Sequence, residues 1–296
     1  MLKNWLESGS RLSVLLESSA GKGRRVHIFH KTEGKGPWLT LLHGFPTSSW
    51  DWSRITPALK QNLRLLLFDF LGFGYSDKPA RHKYSISEQA DLTEVLWQRH
   101  DVRATSIVAH DYGDTVALEL LSRQRDGMLS AQIKQIVMLN GGVYIDYQRP
   151  LLIQRLLAKP VLGAVLSRLL TEKMFKQRFA SIFSESHPVS EADLEQFWRA
   201  VSSAGGVKRT HRIIRYLAER RKFKTRWEET LEKTEVPVHF IWGLADPVSG
   251  SNISEQIKRR LPRRNLLELP DVGHYPQWEV ADLVAKAIRK ALVEFP

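Results

Sequence analysis

Seven short runs along the chain are almost continuously apolar and rich in Val, Ile and Leu: residues 25–30, 38–44, 63–70, 104–111, 133–142, 236–243 and 264–271. Strict alternation of apolar and polar residues marks strands with one wet face, whereas unbroken runs of this length mark strands buried on both. Between the runs, apolar residues recur at helical spacing, which predicts helices over 49–60, 87–98, 112–125, 251–260 and 281–293. Strand and helix alternate, so the pattern predicts an α/β fold with a mostly parallel sheet covered by helices on both faces.

The alternation stops once. From 143 to 232 no segment reads as a strand, and the pattern predicts helices over 151–157, 161–170, 172–182, 191–203 and 210–219. The expected organisation is a core domain of residues 1–142 and 233–296, interrupted by a helical cap over 143–232. An all-helical insertion in a parallel α/β domain reads as a lid over the site.

Composition narrows the possibilities. The chain has 296 residues, of which 43% are hydrophobic and 26% charged. That is the balance of a globular domain able to bury a large core without cross-links. Cysteine is absent, which excludes disulfides, thiol catalysis and Cys-based zinc sites. The net charge is +12. A basic balance can serve an anionic partner, but no nucleic-acid motif accompanies it, so no nucleic-acid partner is expected. Residues 208–226 hold nine Lys/Arg and one Glu. The expectation is a solvated lid helix followed by a basic linker rather than a membrane contact. No apolar run approaches the ~20 residues of a membrane span. Residues 1–19 carry acidic side chains and no apolar core, unlike a signal peptide, so the expected location is the cytoplasm.

In parallel α/β sheets, chemistry sits beyond the carboxyl ends of the strands. After the run at 104–111 come Ala109, His110, Asp111, Tyr112 and Gly113, followed by a helix. Small residues at both ends permit a sharp strand-to-helix turn, the nucleophile elbow, with Asp111 at its tip instead of the common Ser. Asp246 in WGLADP follows the next sheet strand beyond the helical segment, and His274 in GHY follows the last strand. Nucleophile, acid and histidine thus occur in the order of the elbow-bearing hydrolases. The loop His43-Gly44-Phe45-Pro46 follows the strand 38–44, so the oxyanion donors expected are the backbone N–H groups of Phe45 and Tyr112. The glycine-rich stretch 69–79 reads as turn geometry without a catalytic role.

HGFPTSSWDW, DFLGFGYSDKP, HDYGD, WGLADP and GHYPQWE occur here in the order found in the α/β-hydrolase superfamily. The chain resembles its epoxide hydrolase and haloalkane dehalogenase branch, which uses an Asp nucleophile. Within that branch it is similar to the mesoderm-specific transcript-like members. The resemblance implies an eight-stranded α/β-hydrolase fold and the catalytic set Asp111, Asp246 and His274, with no metal or organic cofactor. The partner implied is a small lipophilic substrate with an electrophilic sp³ carbon. Asp111 attacks that carbon, and water activated by His274 hydrolyses the resulting ester. Epoxide hydrolases of the branch protonate the departing oxygen with phenols from the lid, which points to Tyr216. Tyr144 is a candidate second donor, as are Tyr147 and His187. Dehalogenases instead cradle halide with side-chain N–H groups, which Phe45 and Tyr112 do not supply. Trp50, Trp52 or Trp198 could substitute, although packing in the lid and pocket wall is the expected role of all three, and His110 is a further candidate for contacting substrate. HGFP is the form seen in epoxide hydrolases, so an epoxide is the expected substrate and a haloalkane the alternative; a catalytically inactive hydrolase-fold binding protein is disfavoured by the intact Asp111, Asp246 and His274.

Overall fold

The computed structural model describes residues 2–16 and 23–293. Each of the seven apolar runs is a strand, and an eighth precedes them. In chain order these are β1 (Ser10–Leu16), β2 (Arg24–Glu33), β3 (Trp38–Leu42), β4 (Arg64–Phe68), β5 (Ala104–His110), β6 (Gln132–Leu139), β7 (Val238–Gly243) and β8 (Asn265–Leu269). They form one sheet in the order β1-β2-β4-β3-β5-β6-β7-β8. The pairs β1/β2 and β2/β4 are antiparallel, and every pair from β4 to β8 is parallel.

The apolar runs are continuous because both faces of the central strands are covered. On β4, Leu66 and Phe68 face one hydrophobic cluster while Leu65 and Leu67 face another. On β5 and β6, Ile107, Ala109, Ile136 and Met138 join the first cluster, and Val108, Val137 and Leu139 the second. The two-residue period of a strand sends neighbours to opposite faces, so both must be apolar. Strand β1 lacks that signature because it lies on the sheet edge, where only Val14 of its residues is buried.

Helices Ile86–Arg99, Tyr112–Arg125, Ser251–Arg260 and Ala281–Val293 stand where periodicity predicts them. The predicted helix at 49–60 is instead a 3₁₀ turn, Ser49–Trp52, followed by the short helix Thr56–Leu59. Between β6 and β7 the described chain is helical and contains no strand. Two readings of that region change. The segment 210–219 breaks into Thr210–Ile213 and Tyr216–Lys222. The supposed basic linker contains the helix Lys224–Lys233, which packs on Tyr112–Arg125. Its charges hid an apolar spacing: Trp227 and Leu231 are both buried, four residues apart.

Glu119, nearly buried on the helix Tyr112–Arg125, fastens this contact. Its carboxylate accepts from Trp227 Nε1 at 2.8 Å, Arg226 Nε at 3.2 Å and Arg123 Nε at 3.1 Å. Arg226 also donates to Asp126 at 2.7 Å. Among the described residues, no helix is long and apolar enough to cross a membrane.

Breaking a buried charge network strands the remaining partners and costs ~3–5 kcal/mol. Glu119→Ala should therefore lower the thermal midpoint by roughly 5–15 °C. Glu229→Ala, which removes an exposed i,i+4 partner of Lys233, should shift it by no more than about 2 °C. Differential scanning calorimetry on the two variants checks both.

Candidate active site

β5 ends at His110, and the helix starting at Tyr112 begins without an intervening loop. The single residue between them, Asp111, takes φ 48° and ψ −103°, a left-handed conformation that side chains rarely adopt. The turn is this tight because the helix sits against β3. A Cβ at Gly113 would lie 2.2 Å from the Leu42 carbonyl oxygen, so only glycine fits there. Strain at this position lifts the Asp111 carboxyl above the sheet edge.

The HGFP loop faces it. Phe45 N–H donates to Asp111 Oδ2 at 3.0 Å. His43 braces that loop as a neutral imidazole: Phe70 N–H donates to its Nε2 at 3.0 Å, and its Nδ1–H donates to the Gly44 carbonyl at 2.8 Å. Full burial is the main reason its pKa falls to about 3. The glycine-rich stretch 69–79 supports the same loop through Asp69, whose buried carboxylate accepts from Ser49 N–H at 2.8 Å and Tyr75 N–H at 2.6 Å.

His274 and Asp246 form the second part. His274 Nδ1–H donates to Asp246 Oδ2 at 2.7 Å, and both side chains are buried. Burial opposes charge on the imidazole, but the charge of Asp246, its hydrogen bond and the charge of Asp111 outweigh it and raise His274 to about 9. Burial alone would raise Asp246. Its His274 partner and the donors Asn140 Nδ2 (3.0 Å) and Val248 N–H (2.7 Å) reverse that and lower it. Ser249 Oγ adds a fourth contact at 2.8 Å. Neither Asn140 nor Ser249 figures among the sequence candidates. Asn140, directly after β6, supports Asp246 and also bonds the Gly243 backbone through both ends of its amide.

A third group comes from the helix Tyr216–Lys222. Tyr216 is buried, its ring 4.8 Å from that of Tyr112 and 6.0 Å from that of Phe45. Burial and then the Asp111 charge push its phenol upward, while the Arg220 guanidinium pulls it back. Arg220 lies one helical turn from Tyr216 and is itself buried. Its Nη1 donates to Gln148 Oε1 at 2.6 Å, but Nη2 has no partner and Arg220 forms no ion pair among the described residues. Asp114, one turn beyond the elbow, is buried with both carboxyl oxygens unpartnered. Burial and the charge of Asp111 push its carboxyl well up, which favours the neutral acid. The i,i+4 spacing to Tyr216 does not single Arg220 out in the sequence, because Arg212 stands at the same spacing on the other side.

Not every candidate reaches this site. His110 lies behind it: its Nε2 donates to the His274 carbonyl at 2.8 Å, and its ring packs 4.9 Å from that of His274. Trp50 faces away, because the turn Ser49–Trp52 directs it onto Trp5 (5.4 Å) and Trp278 (6.1 Å) beneath the N-terminal helix. Tyr144 also points elsewhere, with the Arg260 guanidinium 4.7 Å above its ring, next to Glu228 and Glu232. Tyr147 and His187 lie toward the surface, bonded to Arg259 and the Asp271 carbonyl respectively. A cavity of about 110 Å³ opens beside His274 and Phe45. Its other walls are mainly apolar and include Leu151, Leu157, Phe175, Phe179 and Val248. Among the described residues no group of three or more His, Asp or Glu could hold a metal ion.

A family model described as the α/β hydrolase fold matches residues 37–281. The putative hydrolase LipZ of Mycobacterium tuberculosis is 37% identical over 261 residues, covering 88% of this chain and 90% of LipZ. The mesoderm-specific transcript homolog protein of Homo sapiens is 39% identical over 291 residues, covering 94% of this chain and 84% of that protein. Among solved structures, the haloalkane dehalogenase DatA of Agrobacterium tumefaciens has the same fold, with a TM-score of 0.77 at 19% identity over 97% of this chain and 98% of DatA. With the strand order, the elbow and the family match in agreement, the chain belongs to the α/β-hydrolase family.

Proposed function

We propose that the chain hydrolyses an epoxide, or a similarly electrophilic sp³ carbon, through an ester on Asp111. The observation that carries this reading is a carboxylate, not a hydroxyl, at the strained elbow, held by Phe45 N–H and facing a charged His274–Asp246 pair. A carboxylate is a competent nucleophile toward a carbon whose bond to oxygen is ready to break.

In this mechanism an Asp111 oxygen attacks the ring carbon and the carbon–oxygen bond opens. The Tyr216 phenol gives its proton to the departing oxygen. The guanidinium of Arg220 favours the phenolate left behind, since it already draws the Tyr216 phenol downward. Esterification removes the charge of Asp111, and with it one of the influences that hold the proton on His274. The imidazolium then passes its proton through solvent to the Tyr216 phenolate, which restores the phenol and leaves His274 neutral and able to act as base. His274 takes a proton from water, which attacks the Asp111 carboxyl carbon, and the Phe45 and Tyr112 N–H groups hold the resulting oxyanion. Collapse expels the product alkoxide, which takes the proton of the regenerated Asp111 carboxyl; this frees the diol and restores the carboxylate, with His274 again protonated. The helical segment 143–232 serves as the cap, supplying Tyr216 and the apolar walls that favour a lipophilic substrate. An epoxide is preferred over a haloalkane because Phe45 and Tyr112, beside Asp111, carry no side-chain N–H to bind halide, whereas Tyr216 offers a phenol for a departing oxygen.

Intact-protein mass spectrometry of His274→Gln tests the assignment. After incubation with a panel of epoxides and haloalkanes, a stable adduct equal to a whole epoxide is expected. An adduct equal to an alkyl group without its halogen would instead make the protein a dehalogenase. Tyr216→Phe should slow adduct formation from epoxides by ~10²-fold or more in stopped-flow assays. The charged pair also predicts a pH dependence of stability. His274 is raised from 6.5 to about 9, so its contribution is complete below pH 6.5 and is lost as pH rises through about 9. The thermal midpoint of the wild-type protein should fall across that window more steeply than that of His274→Gln. Parallel profiles would refute the assignment of charge to the pair.

A further inference from the structure

The helices Leu152–Leu157 and Pro160–Leu169 have two apolar faces. Inward, Ile153, Leu157 and the following Leu170 line the cavity beside His274. Outward, Leu152 is 71% exposed, Val161 81%, Val165 48% and Leu169 62%, with Leu162 beside them. Single exposed apolar residues are ordinary, but a contiguous group on neighbouring helices marks an interaction surface. The surroundings of this group are basic. Residues 149–180 contain seven Lys/Arg and one acidic residue, Glu172, which is paired with Lys176. Arg155, Lys159, Arg168 and Lys173 are exposed around the patch. The Ser167 hydroxyl meets His211 Nδ1 at 3.0 Å, which brings the basic segment 208–215 alongside. The positive charges of Arg212, Arg215, Arg168 and Arg209 all bear on His211 there.

We propose that this outer face docks the protein on an anionic lipid surface. Apolar side chains flanked by lysine and arginine are the chemistry of a helix lying in the interface plane. A second copy of the chain is a poor occupant, because an isologous contact would press two surfaces of the same positive sign together. The seat has a functional logic. Of the helices that would rest in the headgroup layer, Leu152–Leu157 walls the cavity with its opposite face, as does Leu170 just after the second helix, so a lipophilic molecule has a short route from bilayer to site. Only this delivery role rests on the function proposed above, and docking itself is independent of it.

The test is co-sedimentation of the full-length protein with phosphatidylcholine vesicles, with and without phosphatidylglycerol. Binding is read without turnover, so its failure and the failure of the proposed reaction are separate results. The protein should pellet with the phosphatidylglycerol vesicles, and raising the salt from 0.1 M to 1 M, which shortens the screening length from about 10 to about 3 Å, should release most of it. Two variants of exposed residues, Val161→Asp/Val165→Asp and Lys159→Glu/Arg168→Glu, should each lower partitioning about tenfold or more while keeping wild-type circular dichroism. Absence of binding to anionic vesicles overturns the proposal. So does binding that neither pair of substitutions weakens. A dimer in light scattering that the same substitutions dissociate would assign the face to self-association instead.

Discussion

The approach of one helix to one strand sets the geometry of the rest. At Gly113 the helix Tyr112–Arg125 lies against the backbone of β3, leaving no space even for a methyl group. That contact forces the chain to turn within one residue, and the turn holds Asp111 in a conformation its own preferences oppose. The conformational cost is met by two hydrophobic clusters that clamp the sheet from either side. Because the elbow is rigid, the Phe45 N–H, the His274–Asp246 pair and the helix bearing Tyr216 can be arranged around a fixed point.

Charge is distributed around that point rather than paired off in it. Asp111, Asp114, Asp246, His274 and Arg220 are all buried within one region. Asp246 and His274 neutralise each other through a short contact. Asp114 is driven toward its neutral form by its burial and by Asp111. Arg220 then supplies positive charge near Asp111 without locking onto it. A direct arginine–aspartate bridge would hold the carboxylate in a strong, directional contact. A cation at longer range favours the anion and leaves its lone pairs available.

Much of this was legible in the residue order. The central strands β3 to β7 announce themselves because the two-residue period makes both faces apolar. Asp111, Asp246 and His274 stand directly after strands, where the fold brings the carboxyl ends together. The losses have physical reasons too. β1 is half solvated and so has no apolar run. The helix Lys224–Lys233 is dense in charge, and its packing face is only Trp227 and Leu231. Trp50 and Tyr144 sit at plausible places along the chain, but a 3₁₀ turn and a guanidinium stacked on a ring direct them elsewhere. Arg220 was the hardest to foresee. In sequence it is one basic residue among nine, and only the three-dimensional structure separates the buried one from its solvated neighbours.

The three residues after β6 carry an uneven share of the arrangement. Asn140 steadies Asp246, a side chain at Gly141 would run into the Asp114 carboxyl at 2.0 Å, and one at Gly142 would strike the Arg220 guanidinium at 2.1 Å. One short turn therefore sets the spacing among the acid paired with His274, a second buried acid and a buried cation. In a randomised library, these adjacent codons should behave as a single unit of selection. A change at any of them reaches a different charge, so a tolerated variant has to satisfy all three contacts at once.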